Sequence, residues 1–213
     1  MFITRPGEAL PDWCEVRRFD LIEASAFSDV TFEARGPNDV IVVTYGTGKL
    51  TLSDRIMVIR ESQYLVLPPG ETKFTLSGTS RPVQAIHFSG QWGADIYGCG
   101  TFPVSLDVRS QFVGDKVTYP KATSFDSHYH DYDEYWVIVQ GSGTVVVGEH
   151  SYFVRPGDCV PIGAGYHHDF PLVDAPVKAA YLEVSACGQK RLGHLWNHTH
   201  GSAQPIAARA PTV

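Results

Sequence analysis

The sequence has few cysteines, no membrane-length hydrophobic run and no excess of positive charge. Its four cysteines (Cys14, Cys99, Cys159 and Cys187) form no C-x-x-C pair, a pattern typical of reduced thiols rather than of a disulfide framework. No apolar run is long enough to span a membrane. The opening residues, MFITRPGEALPDW, contain no hydrophobic stretch of signal-peptide type. We therefore predict a cytoplasmic protein without a membrane partner.

The charge balance of the chain argues against a nucleic-acid partner. Seventeen Lys and Arg residues face 23 Asp and Glu residues, for a formal net charge of −6. An acidic surface of this kind does not attract nucleic acid or anionic membranes. We expect no nucleic-acid partner.

Short β-rich runs between turn residues dominate the chain. Twenty glycines and 14 prolines are spread along it, which indicates many turns. No helical periodicity competes with the β-pattern in the middle of the chain. The runs are VIVVTYG, KLTL, YLVLPPG, PVQAIHF, EYWVIVQG, TVVVG, DCVPIG and PVKAAYLEV. The sequence therefore predicts an all-β fold, with Cys159 in its core.

The β-rich pattern occurs twice. VVTYGTGKLTL (42–52) is similar to VIVQGSGTVVV (137–147) at an offset of 95 residues, and RPVQAIHF (81–88) matches APVKAAYL (175–182) with one residue of slippage. Two tandem β-domains follow from this repeat, and such strands close most readily as barrels or double-sheet rolls. We predict domains at 1–98 and 99–187, joined in a glycine-rich stretch, and a mobile tail at 188–213.

Metal-ligand residues are concentrated in the second repeat. In SHYHDYDEYW, His128 and His130 are two residues apart and project to the same face of a strand, as does Glu134 if no bulge intervenes. A fourth donor is expected from His167 or His168 in the later segment GAGYHHDF. Three imidazoles and a carboxylate suit Fe, Mn, Ni, Zn or Co and leave one or two positions for water or substrate.

These residues carry a family resemblance. His128-x-His130-x-x-x-Glu134 followed by Gly141 resembles the first motif of the cupin superfamily, and Gly157, Gly165 and His168 resemble the second, with Gly163 where a proline is usual. The resemblance selects His168 over His167 as the fourth ligand. It implies two tandem cupin barrels (double-stranded β-helix or jelly-roll folds, together a bicupin), one metal ion, and a homodimer.

The first repeat has no matching ligand set. The offset of 95 places four charged residues at the positions of the metal ligands: Glu33, Arg35, Asp39 and Lys73. We expect these residues to neutralise one another in a charged cluster or to face solvent. The first barrel is therefore predicted to be structural and metal-free.

Aromatic residues surround the predicted metal ligands. Trp136 and Phe170 are predicted to form a substrate-binding wall together with Asp169, unless the two aromatic rings only fill the core. Tyr132, Tyr166 and His167 are candidates for catalytic acid–base work. Arg109 and Lys121 precede the metal strand and are candidates for contact with an anionic substrate.

The remaining histidines have weaker assignments. His87 lies in a core-strand pattern and is expected to be a hydrogen-bonded core residue. We expect His150 to be exposed in a turn. His194, His198 and His200 form a histidine-rich segment near the C-terminus without a clear structural role.

Several functions remain open at this point. The first is a metal-dependent isomerase, epimerase or lyase acting on a sugar or sugar acid, in which the metal is a Lewis acid. The second is an Fe(II) or Ni(II) dioxygenase of a small organic substrate. The third is a non-enzymatic sugar-binding or sensing protein, and a storage bicupin is the least favoured.

Overall fold

The computed structural model describes residues 3–107, 114–188 and 202–211, and strands dominate these ranges. The first half contains β1 (Val16–Ala24), β2 (Asp29–Glu33), β3 (Asn38–Tyr45), β4 (Thr47–Thr51), β5 (Ile56–Arg60), β6 (Tyr64–Val66), β7 (Lys73–Gly78) and β8 (Val83–Gly90). The second half contains β9 (Ile96–Val104), β10 (Asp133–Val147), β11 (His150–Val154), β12 (Cys159–Ile162) and β13 (His168–Val184). A single 3-10 turn spans Ala207–Arg209 among the described residues. The predicted all-β fold is confirmed.

The strands form three antiparallel sheets. The first half contributes two four-stranded sheets, with the orders β1-β8-β3-β6 and β2-β7-β4-β5. The second half contributes one sheet in the order β11-β10-β13-β9, in which β12 also pairs with β10. The domain boundary that we predicted at residue 98 lies inside β9, which pairs with β13 and so belongs with the second half.

Three hydrophobic clusters hold these sheets together. One lies between the two sheets of the first half and includes Ile41, Leu50 and Phe74. A second fills the inner side of the second-half sheet and includes Trp136 and Phe170. The third joins the halves, because Val42 and Phe88 pack there with Tyr135, Leu182 and the fully buried Cys159. Alternate residues of β10 and β13 therefore pack into two different hydrophobic clusters, because successive side chains of a strand point to opposite faces of the sheet.

The internal repeat has a physical basis at one pair of turns. Gly46 and Gly141 both adopt positive φ, at 80° and 76°. A side chain at either position would overlap a proline carbonyl oxygen, that of Pro82 in the first case and of Pro176 in the second. Only glycine fits such a conformation and approach without strain. The two halves therefore share this close approach of a glycine to a proline carbonyl, as well as the similarity in sequence.

Residues 202–211 make contacts with the second-half sheet. The Ile206 amide donates to the Ala164 carbonyl oxygen at 3.2 Å, and the Arg209 side chain is 11% exposed. Residues 202–211, which we call the C-terminal strap, therefore contact the second-half sheet through Ile206 and Arg209, and the mobility of the tail stays a prediction. The helices described for this chain include none with the length and apolarity of a membrane span.

Candidate metal centre

The four predicted ligands come from two neighbouring strands and the segment before them. Glu134 is the second residue of β10, and His168 is the first residue of β13. His128 and His168 exchange backbone hydrogen bonds of 3.2 and 2.9 Å, and the Gly165 amide donates to the His130 carbonyl oxygen at 2.7 Å. These backbone contacts bring together side chains that lie up to 40 residues apart.

The four side chains converge on one point. Their potential ligand atoms all lie within 4.8 Å of one another, and all four residues are buried. His128 Nε2 is 3.0 Å from His168 Nε2. Glu134 Oε2 is 3.1 Å from His130 Nε2 and 3.3 Å from His168 Nε2. Donors around one transition-metal ion, each about 2.1 Å from it, have separations of this order.

Backbone carbonyls fix the tautomer of each histidine. His128 Nδ1 lies 3.1 Å from the Asp126 carbonyl oxygen, His130 Nδ1 2.8 Å from that of Tyr132, and His168 Nδ1 3.0 Å from that of Tyr166. A carbonyl oxygen only accepts, so each Nδ1 donates and each neutral ring turns the lone pair of Nε2 towards the centre. Metal-ligating histidines are typically held in this way.

This set of donor atoms is better suited to a bound metal cation than to bound protons. Three nitrogen lone pairs and a carboxylate repel one another unless positive charge lies among them. Burial lowers the pKa of His128 to about 4, helped by the charge of His168, and burial likewise lowers the pKa of His130. Burial alone would raise the pKa of Glu134, but its contacts with His130 and His168 outweigh this and lower it. Bound protons are thus disfavoured, whereas a divalent ion would neutralise the group.

Aromatic rings pack around the centre. Tyr132 stacks on His130 with ring centroids 3.9 Å apart and planes 4° apart. Trp136 lies edge-on to His168 at 5.5 Å, and Phe170 lies 6.3 Å from Trp136. Trp136 and Phe170 are fully buried members of the inner cluster, so both rings contribute to the core. Their predicted role in binding substrate stays a prediction.

Sequence reasoning missed Phe125 and Asp126. The Phe125 ring contacts Trp136 at 5.2 Å and His128 at 6.3 Å, and the Asp126 carboxylate lies 3.2 Å from His128 Nδ1. Both residues precede the histidine motif by only a few positions. Their segment has no strand periodicity, so no pattern in the sequence indicated which way they point.

One of the predicted catalytic residues, His167, contacts Asp115 and Tyr129. The His167 side chain is 38% exposed, its Nε2 is 3.3 Å from Asp115 Oδ2, and its ring packs on Tyr129. His167 and Tyr166 line an open groove of about 480 Å³, bounded also by Pro205 and Pro211. The predicted catalytic role of these two residues stays a prediction. The half-buried His150 lines the same groove.

Asp169 is engaged elsewhere as well. It is fully buried, accepts a 3.0 Å hydrogen bond from the Tyr119 hydroxyl and forms a buried ion pair with Lys121. Asp169 and Lys121 were predicted to contact substrate, but the structure pairs them with each other, which fastens residues 119–123 to β13. Arg109 and the histidines His194, His198 and His200 lie outside the described residues.

Two further polar residues lie on the inner face of the sheet. Tyr181 packs against the inner cluster, and Glu183 follows it two positions later on β13. Burial raises the pKa of Tyr181, and the carboxylates of Glu183 and Glu134 raise it further. In the pairing of β10 with β13, Glu183 stands opposite Glu134. The run YLEV revealed a strand but not its partner, so this proximity was not predicted.

In the first half, the residues that correspond to the four metal ligands are not gathered at one point. Asp39 is buried, and its Oδ1 lies 2.6 Å from Nε2 of the buried His87. Glu33 and Lys73 are 3.9 Å apart, with side chains 70% and 67% exposed. Glu33 and Lys73 therefore face solvent and do not belong to one charged cluster. The expected hydrogen bonding of His87 in the core is confirmed.

The C-terminal strap supports the loop that carries His168. Arg209 pairs with the buried Asp133, which in turn accepts a 2.9 Å hydrogen bond from the Ala164 amide. A Cβ on Gly163 would lie 2.5 Å from the Arg209 carbonyl oxygen. This contact explains why glycine stands at 163, because the strap occupies the space that a proline ring would need.

Together, an all-β fold and a buried group of three imidazoles and one carboxylate define a β-protein with a site that could hold a metal ion. A family profile described as "Cupin domain" matches residues 115–184, so this segment of the second half is similar to a cupin domain.

The chain also matches known proteins along most of its length. It is 42% identical over 203 residues to the uncharacterized protein y4oW of Sinorhizobium fredii, covering 95% of this chain and 94% of that protein. A putative glyoxylate-induced protein from Pseudomonas aeruginosa is structurally similar (TM-score 0.53, 13% identity, 90% of this chain and 83% of that one). A mutant of Bacillus subtilis oxalate decarboxylase is also similar (TM-score 0.52, 9% identity, 82% and 70%). At these identities the two structures show a shared fold.

Proposed function

We propose that this protein is a metal-dependent enzyme that carries out an isomerase, epimerase or lyase reaction on a small hydroxylated molecule, a sugar or sugar acid. The observation that supports this most strongly is the converging, buried set of His128, His130, Glu134 and His168. Four protein ligands leave a transition-metal ion one or two positions for substrate. When bound, the metal would act as a Lewis acid on a hydroxyl, carbonyl or carboxylate oxygen.

The residues around the centre would orient the substrate and exclude water. The inner cluster provides an apolar wall, and Tyr132 holds the His130 ring by stacking on it. The buried Trp136 Nε1 has no hydrogen-bond partner among the described residues. Such a donor costs about 1–3 kcal/mol when left unpaired, so an oxygen of the substrate is a suitable acceptor.

We further propose that the two halves are tandem cupin barrels, of which only the second keeps a metal. Two features support this: each half has its own inner hydrophobic cluster, and Gly46 and Gly141 make equivalent turns. The domain limits, the homodimer and the cytoplasmic location stay predictions.

The proposal is tested by metal analysis followed by substrate screening. Protein purified without a histidine tag is analysed for metals, reloaded with Fe, Mn, Ni, Zn or Co, and incubated with a panel of sugars and uronates, with conversion followed by NMR. We expect about one metal ion per chain and conversion of at least one panel member. A metal-loaded protein that neither binds nor converts any member would overturn the proposal.

A dioxygenase or a sensor would give different results. Oxygen consumption that depends on Fe or Ni identifies the dioxygenase. Tight sugar binding that survives complete chelation and leaves the ligand unchanged identifies the sensor.

A further inference from the structure

Asp126 lies two residues before the predicted ligand His128 and contacts the His128 ring on the side away from the centre. His128 Nε2 is the ring atom that meets the other donors, 3.0 Å from His168 Nε2. The second ring nitrogen, Nδ1, lies 3.1 Å from the Asp126 carbonyl oxygen and 3.2 Å from Oδ2 of the Asp126 carboxylate. One residue therefore offers the Nδ1 hydrogen two acceptors, of which one is a carboxylate.

Backbone contacts fix the residues that follow Asp126. The Asp115 amide donates to the Ser127 carbonyl oxygen at 2.6 Å, and His128 exchanges backbone hydrogen bonds with His168. These contacts do not involve the Asp126 side chain. A substitution that changes only the carboxylate should therefore leave the fold intact, and the Asp126 carbonyl oxygen would still accept from Nδ1 and orient the ring.

The Asp126 carboxylate lies at the boundary between the buried centre and solvent. The Asp126 side chain is 36% exposed, whereas the His128 side chain is only 8% exposed. Burying a charge away from water is costly, and contact with solvent reduces that cost. Asp126 can thus place a negative charge beside a buried ligand without the penalty that a fully buried acid would carry.

A carboxylate and a carbonyl act differently on a histidine that binds a metal. Either group accepts the Nδ1 hydrogen and so fixes the tautomer of the ring. A hydrogen bond to a charged acceptor is stronger than one to a neutral acceptor. It also raises the basicity of the ring, so that Nε2 becomes a better donor to a cation. The carboxylate therefore has an effect on His128 that the carbonyl oxygen alone would not have.

We infer that Asp126 is a positioning residue of the metal centre, whose carboxylate holds the Nδ1 hydrogen of His128 and strengthens His128 as a metal ligand. The inference rests on the proposed function in one respect, the binding of a metal at the centre, and it applies whichever substrate the metal serves. Asp126 acts through His128 and needs no contact with the metal or with the substrate.

The test compares four full-length proteins: the wild type, Asp126→Asn, Asp126→Glu and Asp174→Asn. Asp126→Asn keeps the shape of the side chain and removes its charge, whereas Asp126→Glu keeps the charge. Asp174→Asn is the matched control, because Asp174 is an exposed acid on β13. Metal-free protein is titrated with Zn²⁺ in competition with a coloured chelator, and the ring N–H proton of His128 is followed by NMR in the zinc-loaded form. Circular dichroism checks the fold of every variant.

Asp126→Asn should bind Zn²⁺ about 10–100-fold more weakly than the wild type, the usual effect of losing an outer partner of a metal ligand. Its His128 ring proton should move upfield, because the hydrogen bond to a charged acceptor is lost. Asp126→Glu should bind Zn²⁺ more tightly than Asp126→Asn, and the control should stay within about twofold of the wild type.

Three results would overturn the inference: wild-type affinity in Asp126→Asn, an unmoved ring proton in that variant, or equal losses of affinity in Asp126→Asn and Asp126→Glu. A wild type that binds no metal would overturn the proposed function, and the inference with it.

Discussion

Arg209, near the end of the chain, forms a buried ion pair with Asp133, the residue immediately before Glu134. The same guanidinium is 2.8 Å from the Glu15 carboxylate. One cation from the C-terminal strap therefore joins the start of the chain to the first residue of the metal-bearing strand. This contact couples the strap to the stability of the predicted centre.

Replacing Arg209 with methionine should destabilise the protein. The change keeps much of the side-chain volume but leaves the buried carboxylate of Asp133 uncompensated, and loss of one partner of a buried pair costs about 3–5 kcal/mol. Urea denaturation would show a lower midpoint. Arg81→Met, at an exposed position, is the control and should change stability little. Equal midpoints for the two variants would show that the pair contributes nothing.

Substitution of a ligand should release the metal. Glu134→Gln removes the only carboxylate of the predicted set, and we expect metal affinity to fall by more than about 100-fold, because even outer hydrogen-bond partners of metal ligands are worth 10–100-fold. Competition with a coloured chelator measures this affinity.

His150→Ala is the matched control for that experiment, since His150 is a half-buried histidine that lines the open groove rather than the centre. It should retain the wild-type metal content. If Glu134→Gln binds metal as the wild type does, the predicted ligand set is wrong.

The metal-free protein should lose stability between about pH 6.5 and pH 4. Burial lowers the pKa of His128 from 6.5 to about 4, so the unfolded chain takes up a proton first as the pH falls. Protons then favour the unfolded state, and the free energy of unfolding decreases across this window. Below about pH 4 both states are protonated, and the contribution of His128 becomes constant.

Urea titrations of the chelated protein at pH 7, 6 and 5 measure this decrease. His128→Asn should show a shallower dependence, because one of the titrating groups is gone. A slope equal to that of the wild type would assign the effect to other residues.

Lys121 and Asp169 should behave as a structural pair. Lys121→Met leaves the fully buried Asp169 carboxylate without its cation and should cost about 3–5 kcal/mol. The double variant Lys121→Met, Asp169→Asn removes both charges and should recover part of that loss. Calorimetric unfolding provides the measurement. If instead Asp169→Asn unfolds like the wild type but no longer binds a ligand of the metal-loaded protein, the original substrate-binding prediction is correct.

The strand pattern and the ligand identities were predictable because they depend on local geometry. Side chains alternate along a strand whatever it pairs with, so His128, His130 and Glu134 could be grouped from spacing alone, and the turn at Gly141 could be recognised from its repeat at Gly46. The family resemblance then separated His168 from His167. The described structure brings that chosen set together.

Partners that are distant in sequence were not predictable. Shifts in register interrupt the pairing of β10 with β13, so no count of residues places Glu183 opposite Glu134. Lys121 lies outside both strands, so strand geometry does not place it beside Asp169 either. The end of the chain was interpreted as a mobile tail because its composition lacks strand periodicity, whereas Arg209 is fixed by two carboxylates from distant segments.

The sequence by itself determined the all-β class, the repeated turn glycines and the donors suited to a metal, because each follows from backbone geometry and side-chain chemistry over a few residues. The tertiary structure decided which atoms converge, which charges are neutralised by a distant partner, and which acid stands opposite Glu134. Those features depend on strand register and on burial, which only the packed chain sets.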